Sequence, residues 1–110
     1  MAMYLIRVTY NASAYQGMLS APSDRGAAAK ALFAALGIKC HEMLYSISSG
    51  SIITVVEATA EQMTEAGMIV MASGAIDSVI SEELVSMETM NAVMHTAAAK
   101  SANYKSPIQK

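Results

Sequence analysis

The sequence predicts a single α+β domain in which short strands alternate with amphipathic helices. Segments rich in β-branched and aromatic residues, such as 4–10 and 51–57, are typical of strands. Segments rich in alanine and methionine lie between them, with apolar residues at helical spacing. A chain of 110 residues has the usual size of one domain and can bury a small core.

The elements can be placed along the chain from these patterns and from the positions of glycine and proline. The predicted strands cover residues 4–10, 39–47, 51–57 and 75–81. The predicted helices cover residues 27–36, 60–72 and 87–99, with a short helical turn at 14–19. We assign residues 1–100 to the domain and residues 101–110 to a flexible C-terminal tail.

Capping residues mark where the helices begin and end. Ser23 can cap the first long helix, and Gly37 follows its last turn, where a left-handed backbone is common. Thr59 and Gln62 have the spacing of a capping box. Ser86 can cap the last helix.

The order β-α-β-β-α-β with an extra C-terminal helix predicts a ferredoxin-like arrangement. Each βαβ half needs a right-handed crossover, so the two halves interleave in one antiparallel sheet. Both crossover helices then cover the same face of that sheet.

The second face of the sheet is also predicted to be buried. A sheet with one face in water should alternate apolar and polar residues along each strand. Residues 52–56 do not alternate, and the apolar pairs 5–6 and 79–80 put apolar side chains on both faces. Because the domain has no further layer to cover this face, we expect a homodimer packed sheet to sheet.

Composition limits the partners and the compartment. The net charge is −2, and no basic stripe is available to bind nucleic acid. No apolar run reaches the length of a membrane span, and the N-terminal residues do not resemble a signal peptide. A single cysteine cannot form an internal disulfide, which fits a reducing compartment. We therefore expect a cytoplasmic protein.

Several segments together resemble the GYD domain family. These segments are residues 4–8, 15–17, 22–25, 36–39, 45–58 and 73–76. The resemblance covers roughly residues 3–94, and it implies a ferredoxin-like fold of the dimeric α/β-barrel kind. It implies no established activity, because the family is largely uncharacterised.

The hairpin within residues 45–58 departs from the family's signature. Family members carry Gly-x-Tyr-Asp there, whereas this chain keeps Gly50 but has Ile52 and Ile53 in place of the tyrosine and the aspartate. A function that depends on those two polar groups should therefore be absent or altered.

The segment 38–43 places the only cysteine, Cys40, beside His41 and Glu42. Neighbouring side chains on a strand point to opposite faces, so Cys40 and His41 cannot bind one ion together. A zinc site also needs three or four ligands, and the other histidine, His95, lies on the last predicted helix. We predict no metal and no cofactor. Cys40 is interpreted as a small buried side chain rather than as a nucleophile, which would need a base within reach.

The ten methionines admit two interpretations. They could form an adaptable binding surface, because thioethers are soft and flexible. Those at helical spacing, such as Met63, Met68, Met90 and Met94, are predicted to fill the core instead.

Three residues are candidates for binding a ligand, namely Arg7, His41 and Tyr45. Arg7 lies among apolar residues in a strand, and such a charge must reach solvent, an acidic partner or an anionic ligand. Strict alternation places His41 and Tyr45 on one face, where they could act as acid–base groups beside Arg7. The alternative is a structural ion pair of Arg7 with an acidic residue. The possible partners are Glu42, Glu57 and Asp77.

The sequence leaves two functions open. The first is a small-molecule-binding or structural module without its own catalytic constellation, with a small apolar ligand between sheet and helices. The second is a cofactor-independent enzyme, monooxygenase- or isomerase-like, acting on a small apolar or aromatic substrate in the same pocket. This second function follows from analogy with other dimeric α/β-barrel families. Assemblies larger than a dimer are a further possibility.

Overall fold

The computed structural model describes residues 1–108. Its four strands are β1 (Ala2–Tyr10), β2 (Lys39–Ser46), β3 (Ser51–Ala58) and β4 (Ile76–Leu84). Its four α-helices are α1 (Ala12–Ser20), α2 (Arg25–Leu36), α3 (Ala60–Ala72) and α4 (Met87–Lys100). A short 3-10 helix, Ser101–Asn103, follows α4.

The four strands form one antiparallel sheet in the order β2-β3-β1-β4. The two halves of the chain interleave in this order, so the predicted α+β arrangement of the ferredoxin-like kind is confirmed. The predicted helical turn at 14–19 is longer than expected and forms the complete helix α1. None of the helices within residues 1–108 combines the length and apolar character that crossing a bilayer requires.

The helix ends follow the capping chemistry of the sequence, with one correction. Thr59 and Gln62 form the reciprocal capping box of α3, and Gly37 ends α2 in the left-handed conformation with φ of 74°. Helix α2 is capped by Asp24 and not by Ser23, because the Asp24 carboxylate accepts a hydrogen bond of 2.9 Å from the Ala27 N–H. A carboxylate at this position also interacts favourably with the positive end of the helix dipole.

The core lies between α2, α3 and one face of the sheet, which we call the inner face. Its buried apolar residues are Ile6, Phe33, Ile38, Val56, Ala58 and Ala66. Ile6 and Val56 belong to the two central strands, β1 and β3, and Val56 has no exposed surface. The sheet is thus anchored to the helices through its middle rather than through its edges.

A β-bulge in β2 decides which of its side chains reach the inner face. Cys40 pairs with Val56 and Glu42 with Val55, so His41 is an extra residue opposite β3. Beyond the bulge the alternation of β2 is shifted by one residue, and Tyr45 has the same orientation as Cys40. The expectation that His41 and Tyr45 share a face is therefore wrong, because it assumed an unbroken strand.

The opposite, outer face of the sheet also carries apolar side chains. They are Met3, Leu5, Leu44, Ile53, Val55, Ile80 and Leu84. Leu44 and Ile80 remain 62% and 53% exposed, so much of this apolar surface is open to solvent in a single chain.

Helix α4 projects from the rest of the domain. All of its residues are exposed, and the chain extends over 61 × 31 × 22 Å. The radius of gyration is 18.5 Å, whereas a compact domain of this length would have about 13 Å. Met90 and Met94 therefore lie on an exposed stripe, and the expectation that they fill the core is wrong. In α3, Met63 packs against the core, whereas Met68 is 70% exposed, so the expectation is wrong for Met68 as well.

Candidate functional site

A cavity of about 450 Å³ lies between the inner face of the sheet and helices α2 and α3. The apolar side chains that line it include Ile6, Val8, Leu32, Phe33, Ile52, Met63, Val70 and Val79. The helices also contribute small residues, Ala28 and Ala29 from α2 and Ala66 and Gly67 from α3. Because these residues have short side chains or none, the two helices leave this space above the sheet.

Thr54 is one of the residues that line this cavity, and its hydroxyl group is buried. Its side chain is on the inner face of β3, between Ile6 of β1 and Met43 of β2 in the strand register. The residue is only 3% exposed, and within the described part of the chain its Oγ1 atom has no hydrogen-bond partner. A buried hydroxyl without a partner costs about 1–3 kcal/mol, so Thr54 is an unfavourable choice for packing alone.

Arg25 lies at the exposed rim of the cavity, at the first residue of α2. Its Nη1 donates a hydrogen bond of 3.4 Å to the Ser23 hydroxyl. Among residues 1–108 no carboxylate forms an ion pair with it. The guanidinium group is therefore the cationic group nearest the mouth of a largely apolar space.

A cluster of three tyrosines joins α1 to the hairpin between β2 and β3. The Tyr15 and Tyr45 hydroxyls are 2.8 Å apart, and the Tyr15 hydroxyl donates a further bond of 3.2 Å to the Gly50 carbonyl. Tyr10, which lines the cavity, packs edge-on against Tyr15 at 6.0 Å between ring centres. The hydrogen bond with Tyr45, followed by desolvation and the nearby Tyr45 and Tyr10 phenols, raises the pKa of Tyr15 above 10.0.

The predicted site residues do not converge. Arg7 and His41 are on the outer face, whereas Tyr45 is on the inner side of the sheet, and none of the three lines the cavity. His41 Nε2 lies 2.8 Å from the Glu57 carboxylate. Arg7 lies between Ile53 and Ile80 in the register, and its buried Nε atom has no partner within the described residues.

The structure adds Thr54 and Arg25 to the residues of interest. The sequence could have indicated Thr54, because it is the only polar residue within the apolar run 52–56. Arg25 gave no such signal, since its place at the rim depends on how α2 lies over the sheet. Cys40 is a free, half-buried cysteine packed against the core. No group of three or more potential metal ligands occurs among residues 1–108.

The comparison with known families agrees with this architecture. The model of the GYD domain matches residues 4–94. The chain belongs to the GYD domain family. No curated protein and no solved structure matches the chain.

The two substituted positions of the GYD signature lie on opposite faces of β3. Gly50 closes the hairpin turn with φ of 63°, a conformation that favours glycine. Ile52 lines the cavity, so an apolar side chain stands where the family's tyrosine would be. Ile53 lies on the outer face directly across from Arg7, so an apolar side chain also replaces a carboxylate opposite that guanidinium.

Replacing Thr54 with valine should raise the free energy of unfolding by about 1 kcal/mol, because it removes a buried hydroxyl without a partner and keeps the shape. Urea denaturation of protein refolded from denaturant would measure the change. Thr9→Val is the matched control. The Thr9 hydroxyl bonds that of Ser51 at 2.9 Å, so its loss should lower stability by a similar amount. If both variants lower the free energy of unfolding equally, the Thr54 hydroxyl has a hydrogen-bond partner and the prediction is wrong.

Replacing Tyr45 with phenylalanine should lower the pKa of Tyr15 toward 10.0, because the hydrogen bond is the largest cause of its elevation. Absorbance at 295 nm against pH would detect this, with Tyr104→Phe as a control for the loss of one exposed tyrosine. The raised pKa favours the protonated, folded state. The Tyr15–Tyr45 hydrogen bond should therefore stabilise the native protein fully below pH 10. The difference in stability between the native protein and Tyr45→Phe should disappear as pH rises through the pKa of folded Tyr15. No change in the titration would exclude the coupling.

Proposed function

We propose that this GYD-family protein is a homodimeric binding protein that holds a small apolar ligand between its sheet and helices α2 and α3. The cavity of about 450 Å³ is the observation that carries the proposal. Small-molecule sites have about 300–1,000 Å³, so this space is large enough for one small ligand. The lining is largely apolar, so apolar surface of the ligand would provide most of the binding free energy.

The chemistry of the lining favours binding over catalysis. The candidate acid–base groups His41 and Arg7 lie on the outer face, away from the cavity. Tyr10 is the phenol in the cavity wall, whereas its neighbour Tyr15 does not line the cavity and its hydroxyl is hydrogen-bonded to that of Tyr45 at 2.8 Å. The enzymatic alternative, a cofactor-independent monooxygenase or isomerase, therefore has less support from the residues around the cavity.

The outer face supports self-association. Its apolar residues cross the middle of the sheet, and Glu42 and Glu82 stand at the two ends of one cross-strand row. A second copy packed on this face would bury the apolar surface. It would also bring carboxylates near Arg7, whose buried Nε atom has no partner within residues 1–108.

Helix α4 supports the same conclusion independently. Met90, Val93 and Met94 are each at least half exposed on one side of a helix that makes little contact with its own domain. A second chain would cover this stripe more readily than the domain itself can, because α4 extends away from it. We therefore include α4 in the proposed dimer interface.

The net charge of −2 disfavours nucleic acid and anionic membranes as partners. Cys40 is unpaired, which supports a reducing compartment such as the cytoplasm.

Filling the cavity should abolish binding of an apolar ligand. Gly67 lines the cavity, and a Cβ atom added there would meet no atom within 4 Å. Gly67→Leu should therefore fill the space while improving helix propensity by about 1 kcal/mol. We expect the uncharged fluorescent probe N-phenyl-1-naphthylamine to bind the native protein and to bind Gly67→Leu about tenfold more weakly or worse.

Gly17→Leu provides the matched control, because Gly17 is also helical, also has open space around its Cβ position and does not line this cavity. It should bind the probe like the native protein. Native mass spectrometry before and after denaturation would show whether a ligand is retained on purification. Failure of the native protein to bind the probe would favour a structural module instead.

The outer face can be tested by a charge placed on it. Leu44→Lys should raise the dimer dissociation constant about tenfold or more, because a buried lysine must lose its hydration. Ile47→Lys is the control, since Ile47 is 91% exposed in the turn after β2. Size-exclusion chromatography with light scattering would report both masses. A native protein that is monomeric at micromolar concentration would refute the dimer.

A further inference from the structure

We infer that the ligand of the cavity is an apolar carboxylic acid, whose carboxylate binds the Arg25 guanidinium group at the cavity mouth. The inference rests on the proposed binding function and adds the chemical class of the ligand. Its central observation is a single positive charge beside a large apolar space. Among residues 1–108, Arg25 is the only charged residue that lines the cavity, and it forms no ion pair there.

A second, more open space of about 250 Å³ adjoins the cavity at Arg25. It lies between α1 and the segment 21–25, and Tyr10, Arg25 and Ala75 line both spaces. The Arg25 Nη1 atom donates its hydrogen bond of 3.4 Å to Ser23, which lines only the second space. The guanidinium group is thus placed beside the second space, where a ligand that extends out of the apolar cavity would meet it.

The charges around Arg25 favour an anionic group at this position. No aspartate or glutamate within the described chain lines either space. The adjacent carboxylate, Asp24, lines neither space and accepts a hydrogen bond of 2.9 Å from the Ala27 N–H as the cap of α2. Most N–H donors of the guanidinium group are therefore left for water or for a ligand.

The lining also restricts the class of anion. A guanidinium group binds a carboxylate through two parallel, charge-assisted hydrogen bonds. A phosphate monoester carries a charge of about −1.5 to −2 at neutral pH, and no second cation of residues 1–108 lines either space to balance it. A ligand with several hydroxyl groups would lose their hydration against apolar residues such as Ile6, Val8 and Phe33. An apolar body with one carboxylate fits these limits.

The exposure of Arg25 indicates how such a ligand lies. Its apolar body would occupy the cavity between the sheet and helices α2 and α3, and its carboxylate would remain at the mouth. A carboxylate there keeps part of its hydration, so the ligand binds without the large cost of burying an ion. Because solvent also screens an exposed ion pair, we expect Arg25 to contribute a modest factor to the affinity.

A matched pair of probes tests the inference. 1-Naphthoate and 1-naphthamide have nearly the same shape, and only 1-naphthoate is charged at neutral pH. Their affinities would be measured by displacement of N-phenyl-1-naphthylamine. We expect the preference for 1-naphthoate over 1-naphthamide to be about fivefold greater in the native protein than in Arg25→Gln. Arg25→Lys, which keeps the charge but not the planar donor pair, should show an intermediate preference.

Lys30→Gln is the matched control, because Lys30 is an exposed cation of the same helix and lines neither space. It should keep the native preference. Since the change at Arg25 removes only a charge at the mouth, 1-naphthamide should bind Arg25→Gln as tightly as it binds the native protein. That binding also verifies that the variant is folded.

The outcomes separate the inference from the function on which it rests. If both probes bind and the preference is the same in native protein and Arg25→Gln, the inference is overturned while the binding function stands. An equal loss of preference in Lys30→Gln would also overturn it, because the effect would then come from the general surface charge. If neither probe binds the native protein, the proposed function fails and the inference fails with it.

Discussion

The pairing of β1 with β3 is the constraint on which the rest of the structure depends. Because side chains alternate along a strand, this register sends Ile6, Thr54 and Val56 to the inner face and Arg7 and Ile53 to the outer face. A shift of one residue would exchange the two sets and expose the core. The strands carry apolar residues for both faces, and helices α2 and α3 cover only the inner one.

The helices cover the inner face incompletely, and the reason lies in their composition. Where α2 and α3 approach the sheet they present alanine and glycine, including Ala28, Ala29 and Gly67, and large side chains such as Phe33 fill only part of the layer. Small residues let a helix lie close to a sheet. When the helix does not lie fully against the sheet, the same residues leave space between the two.

Most of the fold could be predicted from interactions between neighbouring residues. The residues of the candidate site could not, because they depend on how distant elements pack together. The capping box at Thr59 and the left-handed Gly37 depend on a few neighbouring residues, so the sequence indicates them directly. The bulge at His41 could not be predicted, because an extra residue leaves no local signal yet reverses the face of Tyr45. Helix α4 shows the same limit, since its apolar spacing predicts a buried stripe, whereas the helix extends away from the domain with Met90, Val93 and Met94 exposed.

The substituted GYD signature connects the two faces. Positions 52 and 53 are adjacent on β3, so their side chains point to opposite faces of the sheet, and each of the two substitutions alters one face. In family members that carry tyrosine and aspartate, a phenol would stand at the cavity and a carboxylate would stand across from Arg7, at the short distance of a cross-strand pair. Here Ile52 makes the cavity more apolar, and Ile53 enlarges the apolar outer surface while removing the nearest position for a partner of Arg7. Relative to the family's signature, both substitutions thus replace a polar group by an apolar one, one on each face of the sheet.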